Sequence, residues 1–420
     1  MTGGRSRGRA FLVNLTLALA STALAVAGSE WLLRWYLPLD GFLYRLDPRY
    51  LYTLAPNTRT LFVHAPVNGG GRVLVTVDSD GFRGDELRRD GEPRIVVYGD
   101  SCIQADFSHL AETFTRRLEV RLSAAAGRPV ETVNAGVDGY GPDQALRRFQ
   151  DEVRWLRPVG IVFTVFADND FGDLVRNRLY RLEGGRLVEG GAVLAGSARR
   201  MFDPTGRQQG FVLWRRLQHL VRRARHRPRR TPEEKERRRQ AAMARYLDLS
   251  EAMCRREYEE SVVKRNPVIS RYYKDHYDAD LAFDPTSPAA VYKRRLLEAV
   301  LREVRKAAVT AGVRVLVLVV PSPVDVCDHY EIRVDLQKHP GYDRRRLSSE
   351  VVAAARSAGL DAFDLFAPFR QAGARRLYYH PPGQDHWNAA GQDLAARLVS
   401  DRIMAEGWLG VGPTRRAGGG

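Results

Sequence analysis

Cysteine is scarce in this chain. Three cysteines in 420 residues (Cys102, Cys254 and Cys327) cannot build a disulfide scaffold, and their spacing matches no metal-ligand motif. One bridge at most is open to them, with Cys254–Cys327 as the pairing to test. Phosphate-cradling P-loops, histidine-rich tracts and internal repeats are also missing, which excludes P-loop and repeat architectures. What is present is ample apolar material. At 44% hydrophobic content the chain can bury a real core, either as one large domain with an insertion or as two small ones.

The first uncharged run is "AFLVNLTLALASTALAVA", residues 10–27, preceded by Arg5, Arg7 and Arg9. About twenty apolar residues span a bilayer. Arginines ahead of such a run keep the N-terminus in the cytoplasm and send the remainder outward. "AVA" at 25–27 also suits a signal-peptide cleavage site, whereas "WLLRWYLPL" continues the apolar character beyond it. Anchor and signal peptide both remain open, and both export the chain. The segments are therefore a basic cytoplasmic end at 1–9 and a transmembrane anchor at 10–28. A hairpin-rich lead-in at 45–90 and a main domain at 91–405 follow, then a tail at 406–420.

Within the main domain five strand candidates alternate with helix-length segments: "RIVVY" (94–98), "PVETVN" (129–134), "VGIVFTVF" (159–166), "GVRVLVLVV" (312–320) and "LDAFDLF" (360–366). "TFTRRLEVRLSAAAG" and "DQALRRFQDEVRWLRP" carry helical spacing between the first three. That alternation predicts an α/β fold with a parallel sheet and helices on both faces. The rhythm breaks at about 172–295, which reads as a solvated, mostly helical insertion. From Arg199 to Arg245 there are 16 Lys and Arg against 4 Asp and Glu, which is +12 of the chain's net +16. The aromatic interleaving of a single-strand nucleic-acid binder is missing there, and an exported chain points away from nucleic acid. Anionic lipid headgroups or an acidic glycan are the alternative partners for this charge.

Four of the five strands are followed by residues fit for chemistry. "GDSC" follows the first and "NAGVDGYG" the second; "ADND" follows the third and "YYHPPGQDHWNAAG" the fifth. In a parallel sheet these loops share the carboxyl edge, where open α/β folds keep their sites. A serine, a glycine-rich loop, an asparagine and a histidine then converge on one crevice. Acyl transfer through a serine needs a base for its proton and donors for the oxyanion. The bland alternatives are that His386 caps the last helix and that Asn169 and Asp170 only shape a turn. Asp100 is expected to fix its loop, Gly136 to serve turn geometry, Cys102 to be a small packed neighbour, and Trp387 to line the pocket or core.

Taken together, "GDS" at 99–101, "NAGVDG" at 134–139, "NDF" at 169–171 and "DHWNAAG" at 385–391 resemble the SGNH (GDSL-type) hydrolase superfamily. The resemblance covers roughly 78–171 and 312–405 and includes "DSDGFRG" upstream, a segment seen in membrane-anchored bacterial members. It implies a three-layer, flavodoxin-like α/β/α sandwich with a five-stranded parallel sheet. It also implies Ser101 as nucleophile and His386 as base, with Gly139 and Asn169 joining the Ser101 N–H in the oxyanion hole. No cofactor and no metal are implied. The third block departs by placing Ala167 where the family has glycine. The last block departs more. Asp385 directly precedes His386, while Gly383 and Gln384 stand where the orienting aspartate is expected, so either Asp385 has taken that role or Gln384 replaces it. The implied function is a serine esterase acting on O-acyl groups of an envelope or secreted glycan. An O-acetyltransferase of the same site and a non-catalytic polyanion binder are the alternatives.

Overall fold

A computed structural model describes residues 3–36, 43–64, 71–88, 91–199, 202, 213–214, 217–218, 221, 231–270, 275–379 and 386–410. The apolar N-terminal run lies in one helix, α1 (Gly3–Tyr36). Its stretch Ala10–Leu33 has a mean hydropathy of 2.0, and Phe11, Leu17 and Leu24 stand exposed on it. Those 24 residues rise about 36 Å, against a hydrocarbon core of about 30 Å. The helix is long and apolar enough to cross a membrane, as an anchor or a signal sequence would be.

Two antiparallel pairs follow, β1 (Tyr44–Asp47) with β2 (Leu51–Leu54) and β3 (Arg59–Val63) with β4 (Arg72–Thr76). Their inward residues Tyr52, Leu54, Val73 and Val75 share a small core with Val137 and Tyr140, which flank Gly139. The hairpins are thus packed against one of the loops that matter for chemistry.

The main sheet begins with β5 (Arg94–Gly99), which runs into the one-turn helix α2 (Ser101–Gln104). Then come α3 (Phe114–Ala126), β6 (Glu131–Gly136), α4 (Pro142–Leu156), β7 (Gly160–Phe166) and α5 (Asp170–Asn177). Beyond these lie a hairpin of β8 (Tyr180–Glu183) and β9 (Arg186–Glu189), and a short parallel pair of β10 (Val193–Leu194) and β11 (Val268–Ile269). The helix Pro288–Ala311 leads to β12 (Arg314–Val320), and β13 (Asp361–Asp364) completes the sheet. Its order is β13-β12-β7-β5-β6, all parallel. Every residue of β7 is buried, which requires cover on both faces. On one face α3 packs on Ala389–Ala405; on the other α4 packs on Pro288–Ala311, which packs on Arg346–Ser357. This is the expected α/β/α sandwich. The chain leaves β5 toward β6 and then crosses back to β7 on its other side. Strand order therefore reverses at β5, and the crevice opens at its carboxyl end.

Two expectations need correction. Cys254 and Cys327 are free, buried thiols and form no bridge. The region 172–295 is not simply a solvated helical appendage: it includes β8 to β11, and Cys254, Tyr277, Asp278 and Lys293 in it are completely buried. Charge pairing inside the protein explains this, as described below. The basic stretch 199–245 lies largely outside the described residues, as does the terminal "PTRRAGGG".

Candidate active site

Ser101 opens the turn that ends β5. Asp100 caps that turn, its Oδ1 accepting from the Cys102 N–H at 2.9 Å, as expected of it. Ala105 closes the turn in the left-handed region at φ 56°, its N–H donating to the Ser101 carbonyl at 2.8 Å. Two glycines make room for the turn over the sheet. A Cβ at Gly99 would lie 1.9 Å from Thr164 Oγ1, and one at Gly136 would lie 2.5 Å from the Gln104 nitrogen. Gly136 therefore serves close approach beneath α2, since its φ is not in the left-handed region. The expectation that it shapes a turn is corrected accordingly.

His386 meets the serine. Its Nε2 lies 2.6 Å from Ser101 Oγ; with the ring proton on Nδ1, Nε2 accepts the hydroxyl proton. The histidine is set by an antiparallel bridge of Tyr378 with Trp387, by Tyr379 N–H donating to the His386 carbonyl at 2.9 Å, and by Asn388 N–H donating to the Leu377 carbonyl at 2.8 Å. Phe107 packs against the imidazole with ring centroids 5.3 Å apart. The last helix is capped by Asn388, whose Oδ1 accepts from Ala390 and Gly391. Trp387 is 1% exposed, stacked on Phe114, and core rather than pocket wall. Gly383, Gln384 and Asp385 lie outside the described residues.

The flanking loops come from the strands on either side of β5. Gly139 follows β6 with φ +72°, a conformation that favours glycine. Its loop is tied down by Asp138 N–H donating to Gln104 Oε1 at 2.7 Å and by Tyr52 Oη donating to the Asp138 carbonyl at 2.6 Å. Asn169 follows β7 at the N-cap position of α5, yet its side chain caps nothing. Asp170 does the structural work of that turn, accepting from the Phe166 N–H at 2.7 Å. Capping would engage only the Asn169 Oδ1, so its amide N–H groups are donors independent of the helix end.

The turn carrying Asn169 is also held by residues that sequence reading did not single out. Asp278 donates its N–H to the Asp168 carbonyl at 2.7 Å and accepts from the Gly172 N–H at 3.0 Å. Lys293, fully buried, binds Asp278 and Asp280 at 2.7 Å each. Cys254, Asp278 and Asp280 offer metal-type ligand atoms within 4.8 Å of one another, but the Lys293 ammonium already supplies the cation there. No motif announces Lys293 or Asp278; only long-range packing pairs them. Near the crevice, burial and then Asp106 and Asp275 push the Asp138 carboxyl up to about 8. Cys102 is 1% exposed, as a packed neighbour should be.

Residues 285–417, about a third of the chain, match the family model described as "SGNH hydrolase-like domain, acetyltransferase AlgX". The matched stretch contains His386 and Trp387 and stops short of Ser101. No curated protein matches. Among solved structures, a lipase/acylhydrolase from Enterococcus faecalis is 14% identical over 77% of this chain and 99% of its own, with a TM-score of 0.34. An acetylxylan esterase from Geobacillus stearothermophilus, Axe2, is 13% identical over 76% and 96%, with a TM-score of 0.36. The acetyl xylan esterase AlAXEase is 13% identical over 74% and 99%, with a TM-score of 0.35.

Proposed function

We propose that this chain, which carries an SGNH hydrolase-like domain and is a hydrolase or acyltransferase enzyme, works through an acyl-Ser101 intermediate on O-acylated glycans. One observation carries the reading: the 2.6 Å contact of Ser101 Oγ with His386 Nε2 at the strand-order reversal. Ser101 Oγ attacks the ester carbonyl carbon while its proton passes to His386 Nε2. The Ser101 and Gly139 N–H groups and the Asn169 amide meet the oxyanion. Collapse expels the alcohol, which takes the proton from Nε2. A second hydroxyl then attacks the acyl carbon and gives its proton to Nε2, and a second collapse frees Ser101, whose Oγ takes the proton back from Nε2. With water as that hydroxyl the enzyme is an esterase. A sugar hydroxyl makes it an O-acetyltransferase, a reading favoured by the acetyltransferase description of the matching family model.

The exposed apolar stretch Ala10–Leu33 supports an extracytoplasmic, single-pass, membrane-anchored enzyme. The test uses p-nitrophenyl acetate as donor, with and without glycan acceptors, alongside a fluorophosphonate probe. Turnover and labelling at Ser101, both lost in Ser101→Ala with the fold intact, are the expected result. Labelling that survives in Ser101→Ala removes Ser101 from the mechanism.

A further inference from the structure

The "DSDGFRG" segment, 78–84, lies ahead of the sheet and contributes no group to the chemistry above. Its shape is nonetheless specific. Asp78 Oδ1 accepts from the Asp80 and Phe82 N–H groups at 3.0 and 2.8 Å, and Gly81 turns the chain at φ +91°. The Phe82 carbonyl accepts from the Asp78 N–H at 2.9 Å, and Val77 bridges to Arg83. A tight turn of this kind delivers the two residues after the glycine inward: Phe82 is 1% exposed and Arg83 is 3% exposed.

Arg83 ends on backbone carbonyls. Its Nη1 donates to the Gln104 carbonyl, and its Nη2 to the Ser108 carbonyl at 2.7 Å. Among the described residues no carboxylate lies within ion-pair distance of it. Burying a guanidinium costs free energy, so its placement calls for a reason.

The reason lies in α2. A helix of one turn satisfies almost none of its own carbonyls. The Ser101 carbonyl is met by the Ala105 N–H, and the other three are met by side chains from three distant places. Trp387 Nε1 donates to Cys102 at 2.8 Å, Asn134 Nδ2 to Ile103 at 2.7 Å, and Arg83 to Gln104. Trp387 adjoins His386, Asn134 opens the loop of Gly139, and Arg83 comes from the lead-in. A guanidinium offers a rigid planar fork whose two Nη groups reach separate carbonyls, a geometry that the compact point charge of an ammonium does not reproduce. Its second carbonyl, that of Ser108, follows Phe107, the ring that packs on His386.

We propose that Arg83 is a positioning residue for the acyl-transfer site: it clamps the exit of the Ser101 turn to the Phe107–Ser108 segment that backs His386. It touches neither substrate nor reacting atoms. The role rests on the reading of Ser101 as nucleophile, and it makes the lead-in part of the active-site construction. Loss of the clamp leaves the Gln104 and Ser108 carbonyls without this donor and frees the turn to shift. A displacement of about 1 Å at a reacting group can cost roughly 100-fold in rate.

The test compares Arg83→Met and Arg83→Lys with the full-length protein. Two readouts are used: turnover of p-nitrophenyl acetate per fluorophosphonate-titrated site, and hydrogen exchange in the peptide spanning 99–108. The expected result for Arg83→Met is a fall in kcat of roughly 10- to 100-fold with KM little changed, together with faster exchange confined to 99–108. Arg83→Lys, which keeps the charge and one contact, should fall between. Unchanged kcat per titrated site, or unchanged exchange at 99–108, would overturn the proposal. Should Arg83→Met fail to fold, Arg83→Lys carries both readouts. A parent protein that is not labelled at Ser101 refutes the nucleophile reading instead, while the exchange readout still decides whether Arg83 holds the turn.

Discussion

The indole N–H of Trp387 donates to the carbonyl of Cys102 at 2.8 Å, so the residue after the histidine holds the residue after the serine. The two loops, 285 positions apart in sequence, are joined by a buried, neutral hydrogen bond one residue along from the Ser101–His386 contact. Such a bond fixes relative position without adding charge to the site.

Trp387→Phe keeps a ring against Phe114 but deletes that donor and leaves space where the larger buried indole packed. A buried carbonyl left unpaired costs about 1–3 kcal/mol. Urea unfolding should show a loss of at least this size, the lost packing adding to it, and kcat should fall while KM changes little. Unaltered stability with unaltered kcat would show that the bond does not couple the loops.

Lys293 binds both Asp278 and Asp280 with no exposure to solvent. Lys293→Met leaves two buried carboxylates without their cation, and breaking a buried pair in this way costs about 3–5 kcal/mol. Because Asp278 also holds the Gly172 N–H and the Asp168 carbonyl, activity should fall in molecules that remain folded. A loss below about 1 kcal/mol, the size of a surface pair, would count against the arrangement.

Asp138 should make stability depend on pH. Burial first, then Asp106 and Asp275, raise its carboxyl from 3.8 to about 8 in the folded protein. Below the lower value both states hold the proton; between the two values only the folded state does. The unfolded chain then binds fewer protons, so this group's contribution to stability falls as pH rises through that window and is lowest above it. Asp138→Asn cannot titrate. Its stability relative to the parent should therefore grow from about pH 4 to about pH 8 and level off beyond. A constant difference across that range would refute the assignment.

The orienting acid is decided by two variants. If Asp385 serves His386, Asp385→Asn should lower kcat by about 10⁴, the scale seen when a triad acid becomes an amide, and Gln384→Asp should give no gain. If Gln384 occupies the acid position, Gln384→Asp should instead raise the rate and Asp385→Asn should leave it nearly unchanged.

Much of this architecture was legible in the residues because it depends on neighbours in sequence. Runs such as "IVVY" and "GIVFTVF" are almost wholly apolar and rich in β-branched residues, which suits a strand covered on both faces. Strands separated by helices then give a parallel sheet, and because its strands all run the same way, the loops carrying Ser101, Gly139, Asn169 and His386 share its carboxyl edge. That reasoning needs no distances.

Other features could not be read from the residues, because they depend on which distant atoms finally touch. Nothing local distinguishes Arg83 from the 65 other lysines and arginines of the chain, and its role exists only once a one-turn helix presents carbonyls to it. Lys293 sits in "VYKRRLL" like any solvated helix lysine, yet burial beside Asp278 and Asp280 makes it an internal counter-ion. Gly136 looked like a turn glycine until the Gln104 nitrogen was found where its Cβ would stand. Sequence periodicity specifies which face of an element is buried; it carries no record of what is packed there. The residues alone therefore determined the sheet and the edge where chemistry collects, and tertiary packing decided which side chains hold that edge in place.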